Sequence, residues 1–258
     1  MGQDYDAGSD PAVGLNSAGT VLEVHKNQLG STLYYRLGQL QAATVAWETQ
    51  SHTHDGGTQP DCALNAGNVA VEMHKNEAGH TLYTQVGTVS SANQTVQWHG
   101  AEDSGGGYTP GIALNDANVV VGVQRTSNVV HASRLYIRVG KVLGKTVEWK
   151  KEEQYDSGYF PRVARNNANV VVVVYQADGS ETDASGLWIK VGRVGDDKVV
   201  FDLDADRFDQ GVKPRVALTE DGRVIVAWMR GNKLFQCVGT ISGSTVSWMA
   251  EGRNLMMG

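Results

Sequence analysis

The chain has 258 residues, with 28 acidic against 22 basic side chains and a formal charge of −6. That balance counts against a nucleic-acid surface, which needs clustered Lys and Arg to displace counterions from phosphates. Abundant glycine and valine, 19% charged residues and no stretch of helical period point to β structure.

Taken in chain order, the first landmarks are five prolines, Pro11, Pro60, Pro110, Pro161 and Pro214, which are all the prolines of the chain. Each follows an acidic-glycine turn (YDAGSDP, HDGGTQP, DSGGGYTP, YDSGYFP, FDQGVKP) and opens a short apolar run. This run is predicted as strand A, beginning at the proline, which has no N–H to donate. Turns NSAG, NAGN, NDAN, NNAN and EDGR lead into a β-branched strand B. Strand B closes fourteen residues after each proline at His25, His74, Gln124, Tyr175 and Trp228. Strand C follows, as LYYRLG, LYTQVG, LYIRVG, LWIKVG and LFQCVG, and then a short strand D ending at Trp47, Trp98, Trp149, Phe201 and Trp248.

Four short strands in a repeat of about fifty residues is the pattern of a propeller blade. The predicted fold is therefore all-β: a five-bladed β-propeller, four antiparallel strands per blade, as a single domain over residues 1–258. The repeats run approximately 5–53, 54–102, 103–154, 155–207 and 208–252. Whether one blade combines strands from both termini stays open. Cys62 and Cys237, in different repeats at different positions, read as small buried apolar residues. The apolar runs, VVVVVY ending at Tyr175 among them, are too short to span a bilayer, so no membrane insertion is expected. Met1 to Asp4 lack the basic start and apolar stretch of a secretory signal. The expected location is cytoplasmic or non-classically secreted, unless a leader was removed.

In a blade of order A-B-C-D, the D–A and B–C loops share one face. That face collects Asp6, Asp55, Asp103, Asp156 and Asp209, together with His25, Lys26, Asn27, His74, Lys75, Asn76, Gln124 and Arg125. An Asp followed closely by Gly also ties turns by accepting backbone N–H bonds, so these aspartates carry both a structural and a ligand-binding reading. Glu23 with His25, and Glu72 with His74, are i,i+2 pairs on one side of strand B. They read either as a polar site or as a structural link between blades. The strand C aromatics Tyr34, Tyr83, Tyr136, Trp188 and Phe235 read as packing between blades. Tyr5, Tyr108, Tyr155, Tyr159, Phe160 and Phe208 are placed in D–A loops, as surfaces for stacking on a sugar ring.

No nucleophile-elbow, zincin, phosphate-loop or dinucleotide motif is present, so no cofactor, metal or catalytic residue is expected. The in-phase DxGxxP, LYxRVG and xVxW elements resemble the small propeller lectins, with five-bladed tachylectin-like proteins nearest in size and blade count. The resemblance rests on architecture and implies a non-enzymatic, multivalent carbohydrate-binding protein with glycans or glycoproteins as partners. A protein-interaction propeller, or a glycoside hydrolase with one central site, are the alternatives. Five acidic turns repeated in phase favour several weak sites over one catalytic centre.

Overall fold

The computed structural model describes residues 6–90, 92, 94–127, 133–177 and 185–249. It is a five-bladed β-propeller, with 24 strands among the described residues. The first repeat forms β1 (Ser9–Leu15), β2 (Thr20–Lys26), β3 (Thr32–Gln41), β4 (Thr44–Trp47) and β5 (His52–Gly56). The second forms β6 (Thr58–Leu64), β7 (Val69–Lys75), β8 (Thr81–Ser90), β9 (Thr95–Trp98) and β10 (Glu102–Gly106). The third forms β11 (Tyr108–Leu114), β12 (Val119–Arg125), β13 (Arg134–Leu143), β14 (Thr146–Trp149) and β15 (Glu153–Ser157). The fourth forms β16 (Tyr159–Arg165), β17 (Val170–Gln176), β18 (Gly186–Val194), β19 (Val199–Val200) and β20 (Asp206–Gln210). The fifth forms β21 (Val212–Leu218), β22 (Arg223–Arg230), β23 (Lys233–Ser242) and β24 (Thr245–Trp248). The chain divides into two compact units, residues 1–120 with 141–148 and residues 121–140 with 149–258.

Two sequence expectations are corrected. Strand A does not begin at the proline but two residues earlier, with a register shift across the proline in β1, β6, β16 and β21. The residue before each proline, Asp10, Gln59, Thr109, Phe160 and Lys213, has φ between 48° and 58°. A bulge leaves one residue unpaired, which is where an imino acid costs no ladder bond. Strand D is also longer than expected and broken in two. Both β4 and β5 pair with β3, and the same division recurs for β9 with β10 on β8 and for β19 with β20 on β18. Four of the five aspartates therefore stand in a strand: Asp55 is opposite Leu33, Asp103 opposite Tyr83, Asp156 opposite Leu135 and Asp209 opposite Leu187, whereas Asp6 precedes β1.

The A–B turns show why asparagine recurs. Asn16, Asn65, Asn115 and Asn166 each accept the backbone N–H four residues on, and Thr219 does so through its hydroxyl, at 2.9–3.0 Å. The left-handed corner of each turn falls on Gly19, Asn68, Asn118, Asn169 or Gly222, with φ from 59° to 81°, which only Gly and Asn adopt at low cost. In the first unit the same asparagines stitch neighbours: Asn16 Nδ2 donates to the Asn65 carbonyl at 3.2 Å, and Asn65 Nδ2 donates to Asn118 Oδ1 at 2.8 Å.

Packing explains the other landmarks. A Cβ on Gly8 or Gly57 lies 2.4 or 2.5 Å from the imidazole of His25 or His74, and one on Gly211 lies 2.6 Å from the Trp228 indole. The glycine three residues before the proline thus makes room for the residue closing strand B. In strand C, Gly38, Gly87 and Gly239 stand directly opposite Trp47, Trp98 and Trp248. A Cβ there would meet the indole within 2.9 Å.

The core lies between sheets. Leu22, Val24, Tyr35 and Leu37 of blade 1 meet Cys62, Leu64, Ala70, Val89 and Val96 of blade 2. Val172, Val174, Leu187 and Ile189 of blade 4 likewise meet Val224, Val226 and Trp228 of blade 5. Both cysteines are buried and neither is in a disulfide, and burial pushes the Cys62 thiol well up.

Candidate functional site

Blade 1 gathers a polar constellation around a cleft. Residues Glu23 and His25 alternate along β2, so both side chains reach the same face, and Glu23 Oε2 lies 2.9 Å from His25 Nδ1. Both are buried, with 3% and 4% exposure. That hydrogen bond outweighs the cost of burial and, with the Glu23 and Asp6 charges, raises the imidazole above its ordinary value. Across the ring, His25 Nε2 stands 3.8 Å from Asp6 Oδ2. That is too long for a direct hydrogen bond, so Nε2 keeps its capacity for another partner.

Asp6 accepts the Ala7 N–H on one oxygen at 2.7 Å and the Ser51 hydroxyl on the other. Partial burial works against its charge, but these bonds, His25 and Arg36 prevail and hold the carboxyl below its ordinary value. Arg36, opposite Glu23 in β3, donates from Nε to the Glu48 carbonyl at 2.9 Å. Tyr34 lies parallel on His25, with ring centroids 5.6 Å apart and 10° between planes. Asp6, His25, Tyr34 and Arg36, with Asn27 and the segment Thr49–Gln50–Ser51, line a cleft of about 400 Å³. A smaller hollow of about 130 Å³ reaches Glu23 from the Pro11 side.

Blade 2 repeats the triad, with Gln85 in the place of Arg36. Glu72 Oε2 lies 2.9 Å from His74 Nδ1, and Asp55 Oδ2 lies 4.0 Å from His74 Nε2. Burial pulls the His74 imidazole down, but the charge and hydrogen bond of Glu72 and the charge of Asp55 raise it on balance. Gln85 Nε2 donates to Glu72 at 3.1 Å and to Asp55 at 3.3 Å, spanning the two carboxylates. Tyr83 stacks on His74 at 5.7 Å.

The remaining candidates divide between structural duties and other blades. Lys26 Nζ donates to the carbonyls of Asn27 and Gly30 at 2.9 Å, and Lys75 Nζ donates to those of Asn76 and Gly79. Asn27 and Asn76 accept the N–H groups of Thr32 and Thr81 at 3.1 Å. These four residues therefore knit the B–C turns; only Asn27 also borders the cleft. Gln124 is buried and donates to Glu152 at 2.7 Å, and Arg125 lies 4.7 Å over the Tyr159 ring. Asp103 accepts the Gly105 N–H at 2.8 Å on an exposed strand. Asp156 accepts the Tyr175 hydroxyl, and Asp209 pairs with Arg230.

The expected loop aromatics are in strands. Tyr155 packs between Tyr175 and Phe201, each with its centroid 5.9 Å away, and Phe208 lies 5.6 Å from Trp228 and 5.4 Å from Trp248. Tyr159 is 2% exposed, Phe160 lies within β16, and Tyr108 is half-buried with His80 stacked 6.4 Å away. Tyr5 lies outside the described residues. The strand C aromatics Tyr34, Tyr83 and Phe235 stack on the strand B residue of their own blade and stay half-buried. Sequence reading missed Tyr34, Arg36 and Ser51 as cleft residues. The antiparallel register would have placed Arg36 against Glu23. Nothing local marked Ser51.

No protein-family model matches the chain, and no curated protein matches it. Solved structures do. The alpha-L-arabinanase of Penicillium chrysogenum, complexed with arabinobiose, aligns at a TM-score of 0.61 and 13% identity over 90% of this chain and 79% of that one. The GH93 alpha-L-arabinofuranosidase of Fusarium graminearum aligns at 0.55 and 12% identity over 95% and 82%. A GH43_12 protein from a capybara gut metagenome aligns at 0.51 and 10% identity over 93% and 52%. At such identities the likeness establishes the propeller fold. The expectation of a non-enzymatic multivalent lectin is corrected by the company this fold keeps: the three structures named are an arabinanase, an arabinofuranosidase and a GH43_12 protein. The Glu–His pair of blades 1 and 2 becomes Gly122–Gln124, Val173–Tyr175 and Val226–Trp228 in the others, so a site built on it is confined to two blades.

Proposed function

We propose that the chain is a glycoside hydrolase working at the blade 1 cleft, on arabinose-containing oligosaccharides of the kind its structural neighbours bind. The observation that carries the reading is the order Glu23–His25–Asp6 at the cleft: one buried carboxylate, one imidazole, and one partly exposed carboxylate whose side chain is 29% accessible. Hydrolysis of a glycoside needs a proton for the leaving oxygen and negative charge near the anomeric carbon. His25, whose hold on its proton Glu23 strengthens, delivers the Nε2 proton from its charged form as the C1–O bond breaks. Ionised Asp6 stabilises the positive charge at C1 while water supplies the new C1–O bond and returns a proton to the imidazole. Tyr34 offers an aromatic ring beside the reacting sugar.

The test is release of arabinose from arabinobiose, and of nitrophenol from 4-nitrophenyl α-L-arabinofuranoside, by the full chain. Turnover by the wild type and its loss in His25→Gln support the reading. Absence of hydrolysis by the wild type anywhere between about pH 5 and 8, where a histidine acid is competent, overturns it.

A further inference from the structure

His54 is a buried imidazole with neither ring nitrogen hydrogen-bonded. Its ring stacks on Trp98 at 5.1 Å and meets Tyr35 edge-on at 6.0 Å. It therefore wedges the joint between blades 1 and 2. In the later blades the corresponding residue, the one before the aspartate, is Tyr155 or Phe208, packed against Phe201 or Trp248. A neutral imidazole must hold one N–H and one lone pair, and leaving these dry in an aromatic slot is costly. Glu72 Oε2 stands 4.0 Å from Nε2, beyond hydrogen-bond reach, and that oxygen is already engaged by His74 and Gln85. The other charged groups facing His54 are His74 and Asp55 beside Glu72, and more distantly His25; burial outweighs the carboxylates and holds the imidazole below its ordinary value.

The same stretch of chain ends at the cleft. Thr49, Gln50 and Ser51 line it and the Ser51 hydroxyl holds Asp6, while three residues further on His54 fills the joint.

We propose that His54 is an acid-sensitive wedge: taking up a proton, it competes with His74 for Glu72, leaves its stack on Trp98, and through residues 49–55 shifts the cleft residues Ser51 and Asp6. The coupling to the cleft rests on the functional reading above; the wedge does not. At neutral pH the joint is closed and His54 is silent. Under acid the charged ring cannot stay dry between Tyr35 and Trp98, and β5 moves with it.

The experiment follows the imidazole NMR resonances and tryptophan emission of the full chain from about pH 8 to 4, a range that brackets ordinary histidine titration. Expected are a His54 resonance that titrates below an ordinary histidine, a change in tryptophan emission at the same midpoint, and a His25 response there. In His54→Phe and His54→Tyr, which place in the slot the rings that Phe208 of blade 4 and Tyr155 of blade 3 supply at that position, the emission change at that midpoint is lost. A His54 that titrates at or above the ordinary value overturns the wedge, as does an emission change persisting in both variants. Should neither variant fold, the wild-type His54 titration alone decides it. A His25 resonance blind to the His54 midpoint overturns the coupling alone. None of these readouts requires hydrolysis, so an inactive wild type that still shows the His54 transition counts against the function and not against the wedge.

Discussion

The Asp–His–Glu arrangement occurs twice, and the two copies are finished differently. In blade 1 the residue opposite Glu23 is Arg36, whose guanidinium reaches the Glu48 carbonyl, and the triad borders a cleft of about 400 Å³. In blade 2 the residue opposite Glu72 is Gln85, whose amide fills the space between Glu72 and Asp55. His54 and Trp98 close the opposite side. The strand C partner, Arg36 or Gln85, and the His54–Trp98 stack thus distinguish the triad that borders the cleft from the one that ties two blades together. A repeat that duplicates a polar cluster need not duplicate a site.

The sharpest way to break this comparison is to remove matching carboxylates. Asp6→Asn is expected to lower hydrolysis by about 1,000-fold, in the range of a lost acid–base or charge-stabilising group. Asp55→Asn is expected to leave it within about threefold, a change too small for a group that touches the reaction. Equal losses measured as kcat/KM would erase the distinction. Glu72→Ala acts on the other side of it. Glu72 is fully buried between His74 and Gln85, and its removal strands a buried imidazole, so a stability loss of about 3 kcal/mol is expected from urea unfolding. A loss below about 1 kcal/mol would place Glu72 outside the structural role given to it.

How much of this was legible depended on whether a feature serves the repeat or departs from it. The blade pattern could be read from Pro, Gly and Trp because each answers a packing demand that recurs from copy to copy. The glycine before the proline clears the strand B side chain, and the strand C glycine faces the indole. The division of strand D was not legible, because β5 pairs with β3 through backbone groups that any sequence offers. Lys26 and Asn27 look like ligand contacts in a list of residue types; only coordinates show the ammonium folded back on its own turn. His54 was equally silent, since an imidazole in an aromatic slot leaves no periodic trace.

The histidines give a smaller contrast, in pH dependence. His25 and His74 have folded-state values raised by their carboxylates. Their contribution is full below the ordinary histidine value and is lost as pH rises through the raised one. His54 is lowered, so the unfolded chain binds more protons at that position and stability falls as pH drops below the ordinary value. His74→Gln is therefore expected to flatten the alkaline side of a stability–pH curve, and His54→Phe the acid side. Thermal unfolding at several pH values measures both; the same limb flattened by both variants would contradict the opposed environments.

The smallest effect concerns the two B–C turns. Lys75 is 8% exposed and Lys26 is half-buried, yet each ammonium caps the carbonyls of its own turn. Removing the ammonium while keeping a similar stem, as in Lys→Met, leaves those carbonyls to water where water can reach. The cost is then about 1.5 kcal/mol at Lys75 and about 0.5 kcal/mol at Lys26, the more exposed of the two. If Lys26 met the sugar instead, Lys26→Met would raise KM with stability unchanged, because a ligand contact is absent from the unliganded fold. Unfolding curves and KM measured on the same two variants separate these outcomes, and a change in KM alone would return Lys26 to the binding surface.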